Sequence, residues 1–363
     1  VRRYPFIPLF IFLAILANHG NAIQDGSTLS VYFENDLFAN TDREYTNGTK
    51  FSLVSPDIDW AKEIQNGSSG ALSPLSSLFV QILSPIAAGK DWLLDHSGLG
   101  WKEDPNSVSY NVEFIMGQQM YTPNDIQSKQ LIPDERPYAG WLYTGMGLHR
   151  KTWRHLDVFE VNIGMVGPSS LAHETQDFVH SARGIAKAQG WDHQIKDELG
   201  IGVVLERKDR VLSWNRTGNL GADMITHYGA SVGNVLTQMN AGFEIRLGWN
   251  LPQDFGESLL GRSGNTSSPN QEGELRWDQG FSSYLFTGID GRMVLRNIFL
   301  DGNTFSGSHS VDKETWVGDW VIGTSAMIGK RLKLTYSQAI RTKEYEGQND
   351  AQIFGSAYIS WIF

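Results

Sequence analysis

Apolar and polar residues alternate with period two along much of the chain. Val108, Tyr110, Val112, Phe114 and Met116 alternate with Ser109, Asn111, Glu113, Ile115 and Gly117. Phe159, Val161, Ile163 and Met165 alternate with Glu160, Asn162 and Gly164, and Phe243, Ile245, Leu247 and Trp249 with Glu244, Arg246 and Gly248. Leu332, Leu334 and Tyr336 alternate with Lys333, Thr335 and Ser337. Each such segment has one apolar and one polar face, as a strand between two different media requires. The runs are about 10 to 13 residues long, enough for a tilted strand to cross a bilayer, whereas soluble strands average about 5 to 6. Twelve strands are predicted, near residues 28–35, 44–56, 108–122, 138–150, 155–166, 199–214, 220–232, 236–250, 280–292, 316–329, 331–343 and 351–363. The fold expected is a twelve-stranded antiparallel transmembrane β-barrel, and Tyr121, Tyr138, Trp141 and Trp249 are expected in its interfacial girdles.

The ends of the chain agree with export to an outer membrane. Residues 1–22 combine Arg2 and Arg3, an apolar run from Phe6 to Ala17, and the small residues Gly20 and Ala22. This reads as a signal peptide, leaving 23–363 as the barrel. Its removal takes two arginines and no acids, moving the formal charge from -10 to -12. The last strand puts Ile353, Ala357, Ile359, Trp361 and Phe363 on one face and Gln352, Ser356, Tyr358 and Ser360 on the other, and a terminal Phe there looks like an outer-membrane sorting signal. The 38 glycines and 42 aromatic residues fit many strands in close contact, and the absence of cysteine excludes a disulfide scaffold. The acid excess disfavours a nucleic-acid partner. Two long connections, 57–107 and 251–279, interrupt the pattern.

Strand parity gathers the unusual polar residues at one rim. Counting from a periplasmic start, odd strands run outward, so the connections after them are extracellular. ENDLF (Asn35, Asp36), DREYTNG (Thr46), QQMYTPN (Tyr121) and PDERPYAGW (Arg136) all fall there, as does the stretch after the fifth strand. That stretch should form a helix over about 170–188, with Ser169 and Ser170 capping its start. Gln176 and His180 share a face at i, i+4. A neutral imidazole can take a proton from water. Asp36 and Asn35 offer the oxygen ligands that Ca²⁺ prefers, and a cation beside a scissile carbonyl stabilises its oxyanion. Together these point to water-mediated ester hydrolysis. Ser181 adjoins His180, but neighbouring helical residues point apart. The basic residues Arg43, Lys129, Arg136, Arg183 and Lys187 could all reach this rim.

ENDLF, DREYTNG, the QxxY-x-P segment (Gln118, Tyr121, Pro123), DERPYAGW, GxxGP (Gly164, Gly167, Pro168), QxxxH (Gln176, His180) and GWDxQ (Gly190, Trp191, Asp192, Gln194) occur in this order. As a set they resemble the lipid A 3′-O-deacylase family of outer-membrane barrels, most strongly from residue 28 to about 200. The resemblance implies Ca²⁺-dependent removal of the 3′-linked acyloxyacyl chain of lipid A, with lipopolysaccharide and outer-membrane lipids as partners. It implies His180 as general base, Asn35 and Asp36 beside the metal, Thr46 as a polar contact and Gln176 as an orienting group. Lys129, Arg136 and Tyr121 would then contact substrate. A glutamate that follows the family's histidine by six residues is Ala186 here, and of a Lys-Arg pair after Tyr-x-Pro only Lys129 has a counterpart. An esterase resembling outer-membrane phospholipase A and a non-catalytic porin or adhesin are the alternatives.

Overall fold

In the computed structural model the alternating segments form one closed wall. It describes residues 26–36, 44–57, 108–215, 219–257, 280–329 and 331–363, so the expected signal peptide and most of both long connections lie outside the described residues. The strands are β1 (Thr28–Asn35), β2 (Glu44–Val54), β3 (Ser109–Thr122), β4 (Ala139–Lys151), β5 (His155–Val166), β6 (Glu198–Asn215), β7 (Leu220–Gly233), β8 (Leu236–Trp249), β9 (Phe281–Asn297), β10 (Trp316–Ile328), β11 (Leu332–Arg341) and β12 (Gln352–Ile362). Each pairs antiparallel with its sequence neighbours, and β12 returns to β1, closing the barrel. A closed sheet leaves no unpaired edge, which a lipid environment demands.

Period two separates the two faces of the wall. Leu285, Ile289, Trp320, Ile322, Ile359 and Trp361 point outward and are about half exposed in the isolated chain, as lipid-facing residues should be. Glu113, Glu160, Asp290, Arg246 and Lys333 point inward and are buried. The inward charges are paired across strands. Lys50 and His149 lie 3.4 and 3.1 Å from Glu113, and Arg292 and Arg341 hold Asp319 at 3.2 and 2.8 Å. Pairing offsets the desolvation that an isolated interior charge would suffer.

The expected girdle needs one correction. Trp249 is exposed on the outer wall, but Tyr121, Tyr138 and Trp141 are buried. Tyr121 and Trp141 share the inward parity of Gln119 and Tyr143, while Tyr138 precedes β4 and packs on Trp191 at 4.9 Å between ring centroids. Aromatic character near a strand end does not reveal which face carries it.

At the end where odd strands finish, the β5–β6 connection folds back on the wall. Pro168–Ser170 forms a 3-10 turn, and helix α1 follows over Ala172–Arg183. The serines do not cap α1. Leu171 intervenes with a left-handed backbone at φ 58°, Ser170 Oγ donates to Gly167 O at 2.6 Å, and Ser169 donates to Asp197. Gly184, at φ 68°, stops the helix. A second, one-turn helix, α2 (Ile298–Asp301), follows β9.

Candidate active site

Helix α1 lies against the outside of the barrel. Gly140 is outward-facing on β4, and a Cβ there would sit 2.2 Å from Ser170 Oγ and 2.3 Å from Ala172 Cβ. Only a glycine lets the helix start approach the strand this closely. Met120, outward on β3, would otherwise face lipid; it is buried in a cluster with Tyr138, Ala172, Ala188 and Trp191. Gln118 Nε2 donates to Ser170 O at 2.6 Å, fastening the same corner.

Three residues of α1 are buried against this wall: Ala172, Gln176 and His180, spaced by four. Gln176 Oε1 accepts the Trp191 indole N–H at 2.7 Å. His180 Nδ1 is 2.7 Å from the backbone oxygen of Ala186. A carbonyl can only accept, so Nδ1 carries the proton, and in the neutral ring Nε2 carries the lone pair. The imidazole is thus held in the tautomer that a base acting through Nε2 needs. Ala186 contributes this through its backbone, with no side-chain carboxylate at that position.

The end of β1 reaches the same wall and rim. Asn35 has the outward parity of Val31 and Phe33, yet it is buried, as is Asp36. In register, Asn35 pairs with Asn47 of β2, Asn47 with Met120 of β3, and Met120 with Gly140 of β4. These four outward positions form one row across four strands, and strand spacing sets Asn35 about 10 Å from Met120 along it. Thr46 sits at the irregularity between Tyr45 and Asn47 in β2; its side chain lies outside the described residues.

The structure does not bring Tyr121, Arg136 and Lys129 to this row. Arg136 is fully buried in the barrel mouth, with Nη1 3.1 Å from Glu344 and its guanidinium 4.6 Å above the Tyr121 ring. Tyr121 points inward and stacks on Phe299 at 4.3 Å. Both belong to the lumen, contrary to the substrate contacts expected of them. Lys129 is exposed in the β3–β4 connection, its backbone oxygen 3.1 Å from His193 Nε2. Arg183, the last residue of α1, and Lys187 beyond it are exposed, and Lys187 pairs with Asp177 at 2.8 Å.

The profile of the family described as "Outer membrane protein LpxR" matches residues 6–363. The chain belongs to this LpxR family. Among solved structures it is similar to LpxR from Salmonella typhimurium, at 17% identity and a TM-score of 0.67, over 93% of this chain and 100% of that one. It is also similar to the β domain of the Bordetella autotransporter BrkA, at 9% identity and a TM-score of 0.40, over 93% and 99%. No curated protein sequence matches the chain. The LpxR likeness carries the barrel fold, and the family places the chain among outer-membrane proteins.

The donors near the end of β1 are oxygens: the Asp36 carboxylate and the Asn35 amide. They suit Ca²⁺ in kind, since that ion takes hard oxygen ligands, including backbone carbonyls. Among the described residues no three His, Asp or Glu side chains gather as a metal site. Sequence reasoning found Gln176 and His180 through their spacing. It missed Gly140, Met120 and the roles of Trp191 and the Ala186 carbonyl, although Gly140 and Trp191 stood within the motifs DERPYAGW and GWDxQ.

Proposed function

We propose that this LpxR-family protein removes the 3′-O-linked acyloxyacyl chain of lipid A by hydrolysis, with Ca²⁺ as cofactor. The carrying observation is the anchored imidazole of His180, buried between α1 and the lipid-facing wall. A base in that position meets a substrate that arrives in the membrane plane. His180 Nε2 takes a proton from water, and the oxygen of that water adds to the ester carbonyl. Collapse of the tetrahedral intermediate breaks the acyl–oxygen bond, and the proton passes from His180 to the departing sugar hydroxyl. The products are a 3′-hydroxyl and a carboxylic acid. Asp36 and Asn35 would hold Ca²⁺, whose chemistry there is to draw charge from the ester carbonyl. Gln176 fixes the site from one turn before His180, itself held by Trp191. On this reading the helix-bearing rim faces the cell exterior, where lipid A lies.

A serine esterase is less well supported, because Ser181 is exposed while His180 is buried. The test uses purified protein with lipid A in detergent, with Ca²⁺ or chelator, followed by product mass. Loss of a 3′ acyloxyacyl group that requires Ca²⁺ and His180 upholds the proposal. Release of fatty acid from phospholipid alone, blocked by a serine reagent, rejects it.

A further inference from the structure

Helix α1 ends beside His180, and its last residue is a cation on the side that faces the wall. At about 100° per residue, the direction of Arg183 falls between those of Ala172 and Gln176, on the stripe that α1 buries. Ala172, Gln176 and His180 are buried there, yet Arg183 is exposed. The wall-facing side of the helix is therefore covered along its first turns and open at its last. The next residue agrees: no atom lies within 4 Å of where a Cβ on Gly184 would stand. Arg183 follows His180 by three positions, so their Cβ atoms are about 5–6 Å apart, and a helical side chain leans toward the turn before it. The guanidinium thus reaches back toward the imidazole.

The other cations of this rim are engaged or lie elsewhere. Arg136 pairs with Glu344, Lys187 with Asp177 and Lys313 with Asp301, while Arg296 donates to Gly302 O and Thr304 Oγ1. Lys129 and Lys196 stand exposed on the β3–β4 connection and on the return to β6. Arg183 makes no side-chain hydrogen bond or ion pair among the described residues. A cation at a helix C-terminus offsets the macrodipole from any side of the helix, so the dipole does not explain the wall-facing position. A guanidinium there repels Ca²⁺ and gains little from a neutral ester. Its partner is an anionic group of the substrate within a side chain's length of the scissile bond. In lipid A the sugar carbon next to the one bearing the 3′ ester carries the 4′-phosphate. A guanidinium fork holds a phosphate through two parallel N–H bonds.

We propose that Arg183 binds the 4′-phosphate of lipid A and so sets the 3′ ester against His180. The proposal rests on the deacylase reading above. Its test measures binding by surface plasmon resonance in the His180→Ala background, where no turnover intervenes. The probes are mixed micelles of lipid A, of lipid A lacking the 4′-phosphate and of lipid A lacking the 1-phosphate. Arg183→Ala should weaken binding of the first and third about tenfold and leave the second unchanged. Arg183→Lys, which keeps the charge but not the fork, should recover part of that loss. Heat-modifiable mobility and the proteolysis pattern between residues 168 and 197 report whether α1 stays seated; should Arg183→Ala disturb it, Arg183→Gln carries the test. Equal loss for all three lipids, loss that follows the 1-phosphate, or no loss overturns the proposal. Hydrolysis is scored separately with His180 restored. Cleavage of the 3′ ester combined with binding indifferent to Arg183 removes the arginine and leaves the deacylase reading standing. Binding that depends on Arg183 and the 4′-phosphate, without cleavage of any lipid A, upholds the arginine's role and rejects the deacylase reading alone.

Discussion

At His180 one proton position governs the proposed chemistry. The Ala186 carbonyl fixes the proton on Nδ1, which puts the lone pair of the neutral ring on Nε2. His180→Ala should lower lipid A hydrolysis about 10²- to 10⁴-fold while the barrel keeps its heat-modifiable mobility. An active His180→Ala would remove the histidine from the mechanism. Trp191→Phe deletes the donor to Gln176 together with part of the indole's packing on Tyr138, so kcat should drop several-fold with little change in KM; unchanged kcat would make that hydrogen bond structural. The spacing of Gln176 and His180 was legible because four residues return a helix to the same face. The support from residue 186 was not legible, since a side chain says nothing about where its carbonyl points. Arg136 shows the same limit. Its charge and its place at the rim suggested a substrate contact, but its direction depended on Glu344, more than 200 positions away and brought near only by barrel closure.

Among the elements, α1 and the wall beneath it act as one part. A Cβ at residue 140 would strike Ser170 and Ala172, and overpacking of this kind costs about 1–3 kcal/mol. Gly140→Val should lift the start of α1, reduce hydrolysis and speed proteolysis between residues 168 and 197 without opening the barrel. Equal proteolysis of the variant and the parent protein would show that the helix is seated by other contacts. The strands were the most readable elements. Their period-two pattern reports two faces directly, and the observed limits of β1 through β12 fall within a few residues of those expected, apart from the longer end of β9. The helix start was harder, because Ser169 and Ser170 bind other backbone and side-chain groups once Leu171 turns left-handed.

For the whole molecule, the mouth ties β11–β12 to β3–β4 through Glu344 and Arg136. Burial alone would raise the Glu344 carboxyl, but Arg341, then Arg136 and Arg292, hold it below its usual range. A depressed carboxylate stabilises the fold above its unfolded pKa and loses that contribution as pH falls through its folded value. Wild type should therefore melt above Glu344→Gln near neutral pH, and the gap should close as pH drops below about 4. A gap that stayed constant with pH would contradict this role for Glu344.

The opposite end of the lumen carries a second set of bonds. Residues 251–257 fold inward there: Arg246 binds Asp223 and Asp254, Arg210 binds the Asp254 carbonyl, and Lys333 reaches Asp254 and Glu257 at 2.7 and 2.6 Å. This lattice crosses from β6, β7 and β8 to β11, spanning the bore. In electrical terms the barrel should be silent. Reconstituted in a planar bilayer, it should pass no stepwise ionic current, whereas Asp254→Ala, which takes one partner from each of Arg246 and Lys333 and leaves them only the carboxylates of Asp223 and Glu257, should introduce brief openings.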